Sequence, residues 1–201
     1  GIYNDCYYFV MERLGMSLED YYQCTEKQKS FMKFMLQTMV SLKSIQQRGI
    51  IHRDIKPDNI ILNTELTKVY IIDFGISKKF LDKNRKHKPK KIHHKVQGTV
   101  RYASIFNHEG IEQSRRDDII SFLYSMIYIL KRGLPWQNMK DDGKFLKILS
   151  KKKAIENEEL CSGLHSHFSE LLNYCYMLKY EEEPDYDYII LKLTNINKLY
   201  L

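Results

Sequence analysis

Ile51-His52-Arg53-Asp54-Ile55-Lys56-Pro57-Asp58-Asn59, followed by Ile71-Ile72-Asp73-Phe74-Gly75, is the sequence that decides the fold. Moving a phosphoryl group onto a hydroxyl asks little covalent chemistry of a protein. It does ask for one carboxylate aimed at the attacking hydroxyl and for oxygen ligands to magnesium. An Asp after His-Arg, an Asn five residues on, and an Asp before Phe-Gly supply those groups in order. Either stretch alone would be weak evidence, but the pair in this order and spacing is hard to produce by chance. Asp54 is the expected base, or the group that orients the hydroxyl. Asn59 and Asp73 are the expected magnesium ligands, through the hard oxygens this ion prefers. Gly75 is expected to permit the backbone turn that places Asp73. His52 and Phe74 are expected to pack beneath the site.

Outward from these motifs, 201 residues with 43% apolar content are enough for a core in one domain, or in two small ones. Cys6, Cys24, Cys161 and Cys175 form no close pair and no Cys-x-x-Cys, which points to reduced thiols and away from a disulfide framework or zinc. No signal peptide opens the chain, and the longest apolar run, Ile119 to Leu130, is too short to cross a bilayer. The expectation is a soluble protein of the cytoplasm, the nucleus or both. The net charge of +7 is uneven: Lys78 to Lys95 holds nine Lys or Arg against the single Asp82, so the remainder is close to neutral.

Tyr7 to Met11 has the aromatic and branched content of a strand. Gly15 breaks it, and Ser17 with Asp20 reads as a helix start. Met32, Met35, Leu36, Met39 and Leu42 repeat at helical spacing between Lys27 and Arg48, and Gly49 closes that helix. Ile60-Ile61-Leu62 and Val69 to Ile72 read as two strands around a polar turn. Ser77 to Gln97 shows only charge, the pattern of a long loop. From Asp117-Asp118 a helix apolar nearly all round belongs in the middle of a domain. Gly143 to Leu149, Leu164 to Met177 and Asp185 to Ile196 read as amphipathic helices. The expected class is α+β, mostly helical, with a few short strands at one edge.

The two catalytic stretches resemble those of eukaryotic protein kinases, in which a lysine at the position of Lys56 reaches the transferred phosphoryl group. Gly98-Thr99-Val100-Arg101-Tyr102-Ala103-Ser104-Ile105 and Gly110-Ile111-Glu112-Gln113-Ser114-Arg115-Arg116-Asp117-Asp118 make the likeness closer. With Leu134-Pro135-Trp136-Gln137 and Lys179 to Tyr188, they resemble the casein kinase I family. Most protein kinases carry Ala-Pro-Glu where this chain has Ala103-Ser104-Ile105. The resemblance implies a protein-kinase-like fold, with 1–16 as the last strand of the small lobe plus the hinge, and 17–201 as the helical lobe. It implies ATP and Mg2+ as cofactors. Met11 would be the gatekeeper, Glu12, Arg13 and Leu14 the hinge, Ser17 and Asp20 neighbours of the ribose, and Ile61 and Ile72 the floor of the purine pocket. Asp118 would pin the backbone of the His-Arg-Asp loop.

The family's preference for acidic or phosphorylated protein substrates follows from charge, because a phosphate brings about −1.5 to −2 charges and Arg grips it with two prongs. By resemblance, Arg101 and Lys147 line one anion site, and Arg53, Lys78 and Lys95 another. No aromatic residues interleave the basic run as a stacking surface would need, which argues against nucleic acid. Oligomeric state is not legible. No Gly-x-Gly-x-x-Gly and no Val-Ala-Ile-Lys precede Met11, so the chain is expected to be an incomplete kinase domain. The competing expectation is an inactive lobe that binds acidic or phosphorylated peptides.

Overall fold

The computed structural model describes residues 1–24, 28–93, 95–139 and 144–198. Helix α4, Arg115–Lys131, runs through the centre, and every residue from Arg115 to Ile129 is buried. That explains why its sequence shows no polar stripe: a helix surrounded by protein has no face to give to water. Its first turn is fixed by Asp117, whose Oδ2 accepts the Ser114 backbone N–H at 2.7 Å, a reciprocal cap that satisfies donors the helix cannot.

Around α4 pack α1 (Leu18–Cys24), α2 (Gln28–Gln47), α3 (Ile105–His108), α5 (Lys144–Ala154), α6 (Asn157–Leu160), α7 (His167–Met177) and α8 (Tyr186–Lys198). The apolar face expected of α2 is buried: Met32, Met35, Met39 and Leu42 are inaccessible. The expected beginning of that helix, Lys27, lies outside the described residues, as does Gly143 before α5. The start at Ser17 is built as its sequence implies. Ser17 Oγ accepts the Asp20 N–H at 3.0 Å and donates to Asp20 Oδ2 at 2.7 Å.

The strands are short and paired in twos: β1 (Ile2–Tyr3) with β2 (Cys6–Tyr7), β3 (Ile50–Ile51) with β6 (Lys78–Lys79), and β4 (Ile60–Leu62) with β5 (Val69–Ile71), all antiparallel. The β4–β5 hairpin agrees with expectation, ending at Ile71 and not at Ile72. The strand expected over Tyr7 to Met11 does not form beyond Tyr7. Tyr8 still exchanges backbone hydrogen bonds with Gly1, at 3.0 and 2.7 Å, but Phe9 to Met11 lie in no strand, and Val10 is 88% exposed.

The charged run after Ser77 is not simply a loop. Lys78–Lys79 pair with β3, Leu81 bridges to His87, and Ile92 bridges to Ile111. Phe80 is buried and carries the Arg115 guanidinium 4.9 Å above its ring. His87 stacks between Phe80 and Tyr180. A few apolar and aromatic side chains therefore pin a segment whose lysines stay in water.

Candidate active site

The loop from β3 to β4 carries Asp54, Lys56 and Asn59, and it is held from below. Asp118, at the start of α4, is 1% exposed. Its two oxygens accept the backbone N–H groups of His52 and Arg53, each at 2.8 Å, and Gln46 donates to it at 3.2 Å. Burial drives the Asp118 carboxyl upward, and His52 with these donors opposes that. His52 itself is fully buried, with its Nε2 2.8 Å from the Ile72 carbonyl. Pinning two successive N–H groups on one carboxylate fixes the loop where Arg53 takes a left-handed conformation, φ 73°, one that L-residues adopt only when their surroundings impose it.

Above that platform the reactive groups converge. Asp54 Oδ1 accepts the Thr99 N–H at 2.8 Å and the Thr99 hydroxyl at 2.7 Å. Its Oδ2 stands 3.1 Å from Lys56 Nζ, and Lys56 also donates to Thr99 Oγ1 at 3.2 Å. Burial would push the Asp54 carboxyl up, but Thr99 and Lys56 outweigh it and hold it below its ordinary value. Asp54 is therefore ionised at neutral pH, an acceptor aimed by two partners. Asn59 donates its amide N–H to the Asp54 carbonyl at 2.9 Å and to Oδ2 at 3.3 Å. With its nitrogen engaged there, the side-chain oxygen is the atom left to meet a cation.

Asp73 follows directly. Ile72 donates its N–H to the Asn59 carbonyl at 3.0 Å while its own carbonyl meets His52, so the strand end is stitched to the loop and Asp73 emerges beside it, exposed. The expectation for Gly75 needs correction. The left-handed residue is Asp73, φ 63°, and Gly75 has no positive φ. Asp tolerates this region because its short side chain bonds its own backbone two residues on, here from Gly75 N–H to Asp73 Oδ1 at 3.3 Å. Phe74 packs its ring against His52 at 4.9 Å but remains 43% exposed, so it is not core.

The residues present fit a magnesium–nucleotide group. Two hard oxygens, of Asn59 and Asp73, come from elements bonded to each other, and the Asp73 carboxylate is exposed with only Gly75 N–H on it among the described residues. Those two side chains would hold the metal, and Mg-bound ATP would supply the phosphoryl group and neutralise its charge. The adenine-facing candidates are less enclosed. Met11 and Glu12 are exposed and Leu14 is half-buried. Gly15 N–H donates to the Leu62 carbonyl, and a Cβ on Gly15 would lie 2.9 Å from that oxygen, so the chain passes too close to β4 for a side chain. Ser17 then bridges to Ile61, and Ile61 on the hairpin and Ile72 just past its end are half-buried.

The basic candidates separate into two environments. Arg101 lies over Tyr128 at 5.3 Å and Tyr102 at 5.7 Å, beside a cavity of about 380 Å³ also lined by Lys56, Thr99, Trp136 and Gln137. Trp136, fully buried, donates its indole N–H to the Arg101 carbonyl at 2.8 Å and so fixes that wall. Lys147 is exposed on α5, next to Ile148 of the same cavity. Lys78, by contrast, is paired with Glu112. Arg53 donates to the Ile76 carbonyl and to Gln97 Oε1, and Lys95 is exposed.

Two side chains that sequence reasoning left outside the site belong to it. Thr99 is the shared partner of Asp54 and Lys56. Its signal was present in Gly98-Thr99, since Gly98, φ 82°, passes so close that any Cβ would collide with the Arg53 carbonyl. Gln46 had no such signal. It sits on the buried face of α2, and only folding brings it to Asp118, to the Arg115 carbonyl at 3.0 Å and to the Tyr186 hydroxyl at 2.8 Å.

A family model of the protein kinase domain matches residues 2–185. The chain belongs to the protein kinase domain family, whose members act on protein substrates and in general use ATP and Mg2+. No helix among the described residues is long and apolar enough to cross a membrane.

Proposed function

We propose that this chain is the hinge and helical lobe of a Ser/Thr protein kinase of casein kinase I type. It transfers the γ-phosphoryl group of Mg-ATP to Ser or Thr of acidic or already phosphorylated proteins of the cytoplasm or nucleus. The observation that carries this reading is the ionised Asp54, aimed by Thr99 and flanked by Lys56 at 3.1 Å. In that arrangement Asp54 orients the incoming hydroxyl and accepts its proton. Lys56 places positive charge where the phosphoryl oxygens develop negative charge, and it does so from a site that is already organised. Arg101 beside the same cavity supports the preference for an acidic or phosphorylated residue near the acceptor, because a guanidinium over two rings stays charged and oriented.

The test is ATP-dependent labelling of casein by the full protein that carries this chain, with Asp73→Asn as control. Labelling that the substitution removes supports the kinase. Labelling that survives it would sink the assignment of Asp73. Arg101→Ala should raise KM for a phosphorylated peptide more than for its unphosphorylated twin, and equal losses would count against an anion pocket there. A second reading, a non-enzymatic binder of acidic or phosphorylated peptides, draws on the same cavity, whose Lys56 and Arg101 need no nucleotide to hold an anion. It is favoured if binding persists with no transfer from ATP.

A further inference from the structure

The carboxylate of Glu112 lies outside the catalytic constellation, yet three segments converge on it. Its side chain is 3% exposed. Lys78 Nζ pairs with Oε1, His93 Nε2 lies 3.4 Å from the same oxygen, and Tyr180 lies close enough for the carboxylate's charge to act on its hydroxyl. Burial alone would raise this carboxyl, but Lys78 and His93 hold it below its usual range. The Arg53 guanidinium also lies within its field. The backbone reinforces the convergence. Glu112 N–H donates to the Lys91 carbonyl at 2.9 Å, and His93 N–H donates to the Gly110 carbonyl at 2.6 Å. The next residue, Gln113, donates to the Gln97 carbonyl at 3.2 Å, and Gln97 holds Arg53.

We propose that Glu112 is a positioning residue, a built-in anion that gathers Lys78, His93 and the Arg53 segment and so sets the chain after Asp73 against the catalytic loop. Resting on the kinase reading, this sharpens it in one respect. A phosphate at Lys78 would share its lysine with a buried carboxylate, and like charges that close repel. In the folded chain Lys78 therefore serves Glu112, and substrate anions fall to the Arg101 cavity. Removing the carboxylate should turn the cluster into an empty anion pocket that a free anion can fill.

The experiment needs no phosphoryl transfer, so it can fail independently of the kinase assignment. Amide hydrogen exchange is followed at Phe80 and His93, whose N–H groups bond the Gly49 and Gly110 carbonyls, in the full protein and in Glu112→Gln, with and without inorganic phosphate. Loss of the charge should speed exchange at both amides by about tenfold or more. Millimolar phosphate should slow it again in the variant and leave the wild type unchanged, and Glu112→Asp should keep most of the protection. Unchanged exchange in Glu112→Gln overturns the proposal, as does wild-type protein that gains as much protection from phosphate as the variant. If Glu112→Gln does not fold, Lys78→Met, which leaves the carboxylate in place without its main partner, should loosen the same two amides. Exchange as slow as wild type there overturns it too.

Discussion

The catalytic loop and the segment that should face the adenine are both short irregular stretches, and they are held very differently. From His52 to Asn59 the polar groups are tied to named partners: buried Asp118 below, half-buried Thr99 and Lys56 above, Ile72 alongside. From Tyr8 to Leu14 the side chains are mostly exposed, with Phe9 82% and Val10 88% accessible. The described residues fix the Asp54, Lys56 and Thr99 geometry through their own contacts, while the stretch from Tyr8 to Leu14 gains little definition from them. Local stability follows buried contacts and satisfied hydrogen bonds, so the two stretches should respond to mutation on different scales.

The largest effect should come from Asp118→Ala. Removing a buried carboxylate strands the N–H groups of His52 and Arg53, and stability should fall by about 3 kcal/mol or more in urea unfolding, with phosphoryl transfer lost. A loss under about 1 kcal/mol would mean the loop is pinned by something else. Thr99→Ala should be milder. The backbone N–H to Asp54 survives, and turnover should drop roughly tenfold with little change in stability, reflecting one hydroxyl bond to a charged group. Ser17→Ala, at the boundary between the two regions, should cost about 1 kcal/mol through the lost helix cap.

Acid separates the regions as well. Because folding holds the Asp54 carboxyl below its ordinary value, its contribution is complete above about pH 4 and disappears as the pH falls through the folded value. Asp54→Asn should flatten the decline in stability in that window. A variant that loses stability on acidification as steeply as wild type would refute the partnership with Thr99 and Lys56. Smallest of all, Val10→Ser should lie within about 0.5 kcal/mol of wild type. A larger loss would show that the exposed segment packs on something in solution.

What the sequence made legible follows the same division. The candidate catalytic residues stand close together in the chain, so their spacing alone proposes them, and the cap at Ser17 and the β4–β5 hairpin are likewise local patterns. Asp118 was expected beneath the loop because of its neighbours in a known family pattern. Gln46 and Glu112 were not, because their roles depend on distant partners, Lys78 34 residues before Glu112 and Tyr186 140 residues after Gln46, that no periodicity reveals. The turn at Asp73 misled for a different reason. A glycine two residues on is the usual source of a positive φ, and here the aspartate adopts it, braced by its own carboxylate. The charged run after Ser77 concealed its anchors, since Phe80 and His87 are only two rings among many lysines.

Gly98 carries one last consequence. Because the chain there runs against the Arg53 carbonyl with no room even for a methyl group, Asp54 and the Thr99 ledge above it are spaced by bare main chain. Tuning at neighbouring side chains can reshape what the ledge accepts, but its distance from Asp54 is fixed by the absence of a single carbon atom.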